Sequence, residues 1–99
     1  MPVKSSKEAL KLIGEKKPDL GRLGVDEIGM FGSFVRNEQR DASDVDIIVT
    51  FKAGKLNLHS YMEVKRLLEG ILGRQVDLVI KSDIKPALRE RILGSVMYA

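Results

Sequence analysis

Asp44 and Asp46 stand two residues apart at the head of an apolar run, inside the stretch GSFVRNEQRDASDVDIIV that spans Gly32 to Val49. A third carboxylate, Asp77, interrupts another apolar run, QVDLVI, from Gln75 to Ile80. Alternation along a strand puts Asp44 and Asp46 on one face, and Asp77 can share it if the register permits. At ~4 Å and an effective dielectric of about 20, two such carboxylates repel by roughly 4 kcal/mol. Three in one pocket therefore need a cation, protonation, or separation into solvent. All-oxygen ligands favour the hard ions Mg²⁺ or Mn²⁺, with water and phosphate oxygens completing the shell. Two such ions about 3.5–4 Å apart are suited to in-line displacement at phosphorus.

The Gly32-Ser33 pair supplies the complementary half of that chemistry. Backbone N–H groups after a glycine turn at a helix N-terminus suit phosphate oxygens. Ser33 adds a hydroxyl, and Arg36, about one helical turn on, can reach the same anion. The stretch is not a P-loop, since no GxxxxGK[ST] pattern is present. Each part alone has an ordinary explanation. Asp-x-Asp is common before strands, Gly-Ser is common in turns, and Arg36 alone is a surface arginine. Asp77 within an apolar strand is expected to be a buried charge, which is costly unless paired; Lys81 and Arg74 are the nearby bases that could pair with it.

The elements that must position these groups follow from pattern. Ser5-x-x-Glu8 is a capping box ahead of the helical spacing Ala9, Leu10, Ile13, and Pro18 with Gly21 and Gly24 is expected to end that helix. Val25 to Phe31 reads as a strand, Ser33 to Glu38 as a short helix, and Arg40 to Ser43 as polar loop. Asp44 to Phe51 is the strongest strand signal. Leu58 to Leu72 reads as a helix with Leu58, Tyr61, Met62, Lys65, Leu68, Ile71 and Leu72 near one face, stopped by Gly73. Gln75 to Ile80 is the third strand. Pro86 opens a last helix whose face carries Leu88, Ile92, Leu93 and Val96. A strand, a helix of about 15 residues and a strand imply a right-handed crossover between parallel neighbours. An antiparallel first strand would then bring Gly32-Ser33 to the edge where the carboxylates open. The fold class is α/β (α+β), a small mixed sheet of three to four strands flanked by helices.

Ninety-nine residues, 43% hydrophobic and 31% charged, are expected to form one domain over 1–99. There are no cysteines, so disulfides and thiolate metal sites are excluded. No apolar run approaches the ~18 residues of a membrane span, and the N-terminus lacks a signal-peptide core. Net charge is +3; removing the three clustered carboxylates leaves +6 on the remainder. A modestly basic surface suits a polyanion or is simply a solvated lysine-rich surface. His59 reads as a surface residue at a helix start. Tyr61 and Tyr98 read as packing residues more readily than as sites of modification.

Gly-Ser, ten residues and then Asp-x-Asp resembles the signature of the DNA polymerase beta-type nucleotidyltransferase superfamily. The small size points to its minimal nucleotidyltransferase (MNT) branch, the antitoxins paired with HEPN-domain toxins. The family's usual Ala-Arg-Gly-Glu after Gly-Ser appears as Val35-Arg36-Asn37-Glu38, and Asn tolerates the positive φ that Gly would adopt there. The resemblance implies the nucleotidyltransferase fold and nucleotidyl transfer. Asp44 and Asp46 would hold two Mg²⁺ ions (or Mn²⁺), and Asp77 would hold the one that activates the acceptor. Gly32, Ser33 and Arg36 would grip the phosphates of ATP, the substrate. The acceptor implied is a tyrosine on a HEPN-domain toxin in the cytoplasm. No membrane association or direct nucleic-acid binding is expected, and assembly as a homo- or hetero-oligomer is left open. Two other functions stay open: neutralisation of the toxin by contact without catalysis, or transfer to a small molecule or RNA, whose enzymes usually carry a further acceptor domain.

Overall fold

The first helix forms where the capping box places it. Ser5 Oγ accepts the Glu8 backbone N–H at 3.1 Å, and α1 runs from Ser6 to Glu15 with Ala9 and Ile13 buried. The computed structural model describes residues 2–40 and 43–99. Pro18 does not simply end the first helix, as the pattern led one to expect. After a break at Lys16, a second helix, α2 (Lys17–Arg22), carries Pro18 in its first turn and Gly21 within it. A proline fits the start of a helix because the N–H it lacks would have no intrahelical partner there. Leu20 of α2 is buried, so packing holds this short element in place.

Three strands form close to the apolar runs: β1 (Val25–Phe31), β2 (Val45–Phe51) and β3 (Val76–Ile80). A fourth, β4 (Met97–Tyr98), completes a mixed sheet of order β3-β2-β1-β4. β1 and β2 are antiparallel with Phe31 opposite Asp46, and β2 and β3 are parallel with Asp46 opposite Asp77. The expected topology therefore holds, and both motif halves reach one sheet edge. The chain pattern had not located β4, because two residues carry no periodicity. Gly29 in β1 is what admits its approach: a Cβ there would lie 2.6 Å from Val96 Cγ1.

The crossover between β2 and β3 is α3 (Leu58–Leu72). Asn57 and Ser60 cap it reciprocally, and Gly73 closes it in the left-handed conformation at φ 67°. Its buried row is Ser60, Val64, Leu68 and Leu72; Leu68 and Leu72 of the expected face lie in it, whereas Leu58 is 78% exposed. The capping box sets the phase: the Ser60 hydroxyl turns inward to Lys55 O at 2.8 Å, leaving Leu58 and Met62 outside.

Alternation sorts β2 onto two faces. Val45, Ile47 and Val49 join Val76, Leu78, Ile13, Val64, Leu68 and Leu72 in the core under α1 and α3. Asp46, Ile48 and Thr50 have the opposite parity. On that side lies α4 (Pro86–Leu93), of which no residue is buried. The expected apolar face of this helix is only weakly used: Leu88 is exposed, Ile92 and Leu93 are half-buried, and Val96 lies past the helix end against Gly29. No helix among the described residues is long and apolar enough to cross a membrane.

Candidate active site

The turn after β1 begins with Gly32 at φ 76°, and a single 3-10 turn covers Gly32–Phe34. The expected helix to Glu38 does not form; the chain turns instead, with Asn37 at φ 60° in the left-handed region. A Cβ on Gly32 would collide with the Asp46 carboxylate, whose Cγ would be 2.9 Å away. Glycine at 32 is thus required twice, for its φ and for the carboxylate seated against it. The Ser33 backbone N–H donates to that same carboxylate. Arg36 acts on it electrostatically while pairing with Glu38, Nε to Oε1 at 3.0 Å.

Asp46 is half-buried, and its pKa is raised from the ordinary carboxylate value. Desolvation is the largest cause, followed by the charges of Asp77 and then Asp44; Arg36 and the Ser33 N–H offset part of it. The structure therefore brings Gly32, Ser33, Arg36 and Asp46 together, with Asp77 and Asp44 within electrostatic reach. Asp77 is not the buried charge expected of an apolar strand. It is exposed, because β3 is the edge strand and the face it points from carries no helix like α1 or α3. The bases considered as its partners are occupied elsewhere. Lys81 pairs with Glu27 at 3.6 Å and contacts Tyr98, and Arg74 donates to backbone carbonyls. Asp44, also exposed, sits one residue ahead of β2.

Among the described residues, no three His, Cys, Asp or Glu side chains are gathered so as to hold a metal ion by themselves. The three aspartates are neighbours on one edge, not a closed cage. Their donor chemistry nevertheless fits a hard divalent cation that takes its remaining ligands from water and phosphate. The surplus negative charge felt by Asp46 is what such a cation would neutralise.

Two clefts flank the carboxylates. One, about 340 Å³, is lined by Gly32, Arg36 and Asp46 together with Leu88, Arg91 and Ile92 of α4. The other, about 470 Å³, is lined by Asp44, Asp77, Lys65, Arg66 and Glu69. Arg91 escaped the sequence pattern, because only the fold carries α4 to Gly32. A larger concavity, about 600 Å³, opens beside Leu56, Leu58, Tyr61, Leu78 and Ile80. Its lining is mostly apolar and holds none of the motif residues. His59 is exposed in the first turn of α3. The Tyr61 hydroxyl donates to Leu78 O at 2.6 Å, and Tyr98 is exposed beside Lys81.

The chain is similar in sequence and fold to known proteins. Residues 7–98 match the model of the nucleotidyltransferase domain. The protein adenylyltransferase MntA of Thermococcus cleftensis is 44% identical over 87 residues, 88% of this chain and 87% of its own. A candidate protein adenylyltransferase of Methanocaldococcus jannaschii is 41% identical over 80 residues, 81% of this chain and 85% of its own. Among solved structures, a candidate minimal nucleotidyltransferase superposes with TM-score 0.72 at 33% identity, covering 89% of this chain and 93% of that one. A toxin–antitoxin crystal structure with AMP-PNP superposes with TM-score 0.65 at 25% identity, covering 94% of this chain and 70% of that one. The chain belongs to the nucleotidyltransferase domain family, in its minimal, MntA-like branch.

Proposed function

We propose that this protein is a cytoplasmic protein adenylyltransferase antitoxin, which transfers AMP from ATP to a tyrosine hydroxyl of a HEPN-domain toxin. The observation that carries the reading is the Asp46 carboxylate seated on Gly32 and opposite Asp77. A phosphate-binding turn and a carboxylate pair belong at one point only if phosphate and its counter-ion meet there. The names of the relatives support it: one is a protein adenylyltransferase, and the toxin–antitoxin structure contains an ATP analogue.

In this reading the Gly32-Ser33 turn and the Ser33 hydroxyl take the β- and γ-phosphates, and Arg36 leaves Glu38 to support them. The cleft walled by Leu88, Arg91 and Ile92 borders that nucleotide side. Asp77, on the open side, faces the acceptor. Asp44, Asp46 and Asp77 would hold Mg²⁺ or Mn²⁺, which when bound neutralises charge building on the α-phosphate. The tyrosine oxygen forms a bond to the α-phosphorus as the bond to the β-phosphate oxygen breaks. Pyrophosphate leaves, and the hydroxyl proton passes to solvent. The chain's own contribution is positioning and electrostatics, as in phosphoryl transfer generally.

The test is the double variant Asp44→Asn/Asp46→Asn, which keeps side-chain shape and removes the charges. With labelled ATP, Mg²⁺ and the toxin, AMP incorporation should fall by roughly 10³-fold or more, while binding to the toxin is retained. If the variant protects cells as well as the wild type at matched expression, neutralisation works by contact and the transferase reading fails.

A further inference from the structure

Arg74 lies in the link between α3 and β3, three residues ahead of Asp77, and carries no part of the motif. Its side chain bridges three separate segments of the chain. Nε donates to Val3 O at 2.7 Å, and Nη1 donates to Arg40 O at 2.9 Å and Ser43 O at 3.1 Å. The guanidinium also lies over the Phe34 ring, 5.0 Å from its centroid. Ser43 immediately precedes Asp44, and Phe34 immediately follows Ser33. One planar cation thus touches the neighbour in sequence of each half of the motif.

We infer that Arg74 is a positioning residue for nucleotidyl transfer, clasping the phosphate turn to the loop that delivers Asp44 and Asp46. The inference rests on the transferase reading above. The loop needs such a clasp. Of the described residues between Phe34 and Val45 none belongs to a helix or strand, and Asp44 lies outside the β2 ladder. Arg40 and Ser43 bond to each other, Ser43 N to Arg40 O at 3.0 Å and Arg40 N to Ser43 Oγ at 2.7 Å. Arg74 fixes that unit to β3 and to Phe34, which is buried. Only a guanidinium fits the task, because its fork presents several coplanar N–H donors to carbonyls in different directions while its face stacks on a ring. A lysine keeps the charge and loses the fork.

The experiment compares the wild type, Arg74→Lys and Asn57→Ala. The last removes the cap of α3, the bond from Ser60 N–H to Asn57 Oδ1 at 2.9 Å, which follows the end of β2 remote from Asp44 and Asp46, and serves as a control for general loosening. Three quantities are read: the thermal melt in EDTA, the affinity for Mn²⁺ alone by paramagnetic resonance, and kcat and KM for ATP with the toxin. Arg74→Lys should melt cooperatively, with Mn²⁺ affinity and kcat lowered by about 10–100-fold, the usual effect of losing a residue that orients ligands. Asn57→Ala should lose stability and keep both within about twofold of the wild type. Arg74→Lys at wild-type Mn²⁺ affinity and kcat overturns the inference. So does the absence of a cooperative melt, which would make Arg74 a residue of the fold. A wild type that neither binds Mn²⁺ nor transfers AMP brings down the transferase reading itself.

Discussion

The two faces of β2 follow opposite rules at the end of the strand that meets Gly32, while Ile48, further along the face of Asp46, is 1% exposed. Val45, Ile47 and Val49 point under α1 and α3, where each is 1% exposed or less. Asp46, between Val45 and Ile47, points to the other face, where burial and two like charges raise its pKa. One face lowers the free energy of the fold by removing apolar surface from water. The other holds charge at some cost to it. Stability and chemistry are separated by the two-residue period of a strand, which lets a chain of 99 residues carry both.

That separation can be broken from either side. Ile47→Ala should cost about 2–5 kcal/mol of stability, as for other large-to-small core changes, with AMP transfer per folded molecule little changed. Denaturant melts and initial rates measured well below the midpoint check this; equal loss of activity would mean the faces are coupled. Gly32→Ala should cost less stability, about 1–3 kcal/mol for a β-carbon at positive φ, but it dislodges the Asp46 carboxylate. Transfer should therefore fall out of proportion to stability. Ser33→Ala keeps the backbone N–H on Asp46 and removes only the hydroxyl. It should weaken ATP use by about 0.5–1.5 kcal/mol, the net contribution of one hydrogen bond, read as a rise in KM for ATP.

The legible parts of this molecule were those set by local pattern. β1, β2, β3 and α3 follow their apolar runs, the Gly32-Ser33 turn lies at the sheet edge, and Asn37 takes the positive φ read for it. The misreadings share a cause, since each depended on what lies across space. Asp77 looked buried because its strand is apolar, but β3 is an edge. Leu58 looked like core, but the Asn57 cap rotated α3 by its own hydrogen bonds. Pro18 read as a stop and serves as a start, because Leu20 beyond it has somewhere to pack. β4 left one trace, a glycine inside β1, which in a strand often marks close approach of another backbone. The contacts of Arg74 with Val3, Arg40 and Ser43 span 31 to 71 residues of sequence and left none.

If the charged face is a cation and nucleotide site, it is held at a cost in stability. Since the folded-state pKa of Asp46 is raised, its favourable contribution is complete below the ordinary carboxylate range, about 4, and is lost as pH rises through the folded value. At neutral pH without metal, Asp46 therefore weighs against the fold. The direct measurement is the melting temperature of the wild type and Asp46→Asn at pH 7, in EDTA and in millimolar Mg²⁺. Without metal, Asp46→Asn should melt higher than the wild type, and the gap should narrow on acidification toward pH about 4. Mg²⁺ should raise the wild type and leave the variant nearly unmoved. An Asp46→Asn protein that melts lower in EDTA, with Mg²⁺ shifting both proteins alike, would make Asp46 a structural residue and rule out a cation site built on it.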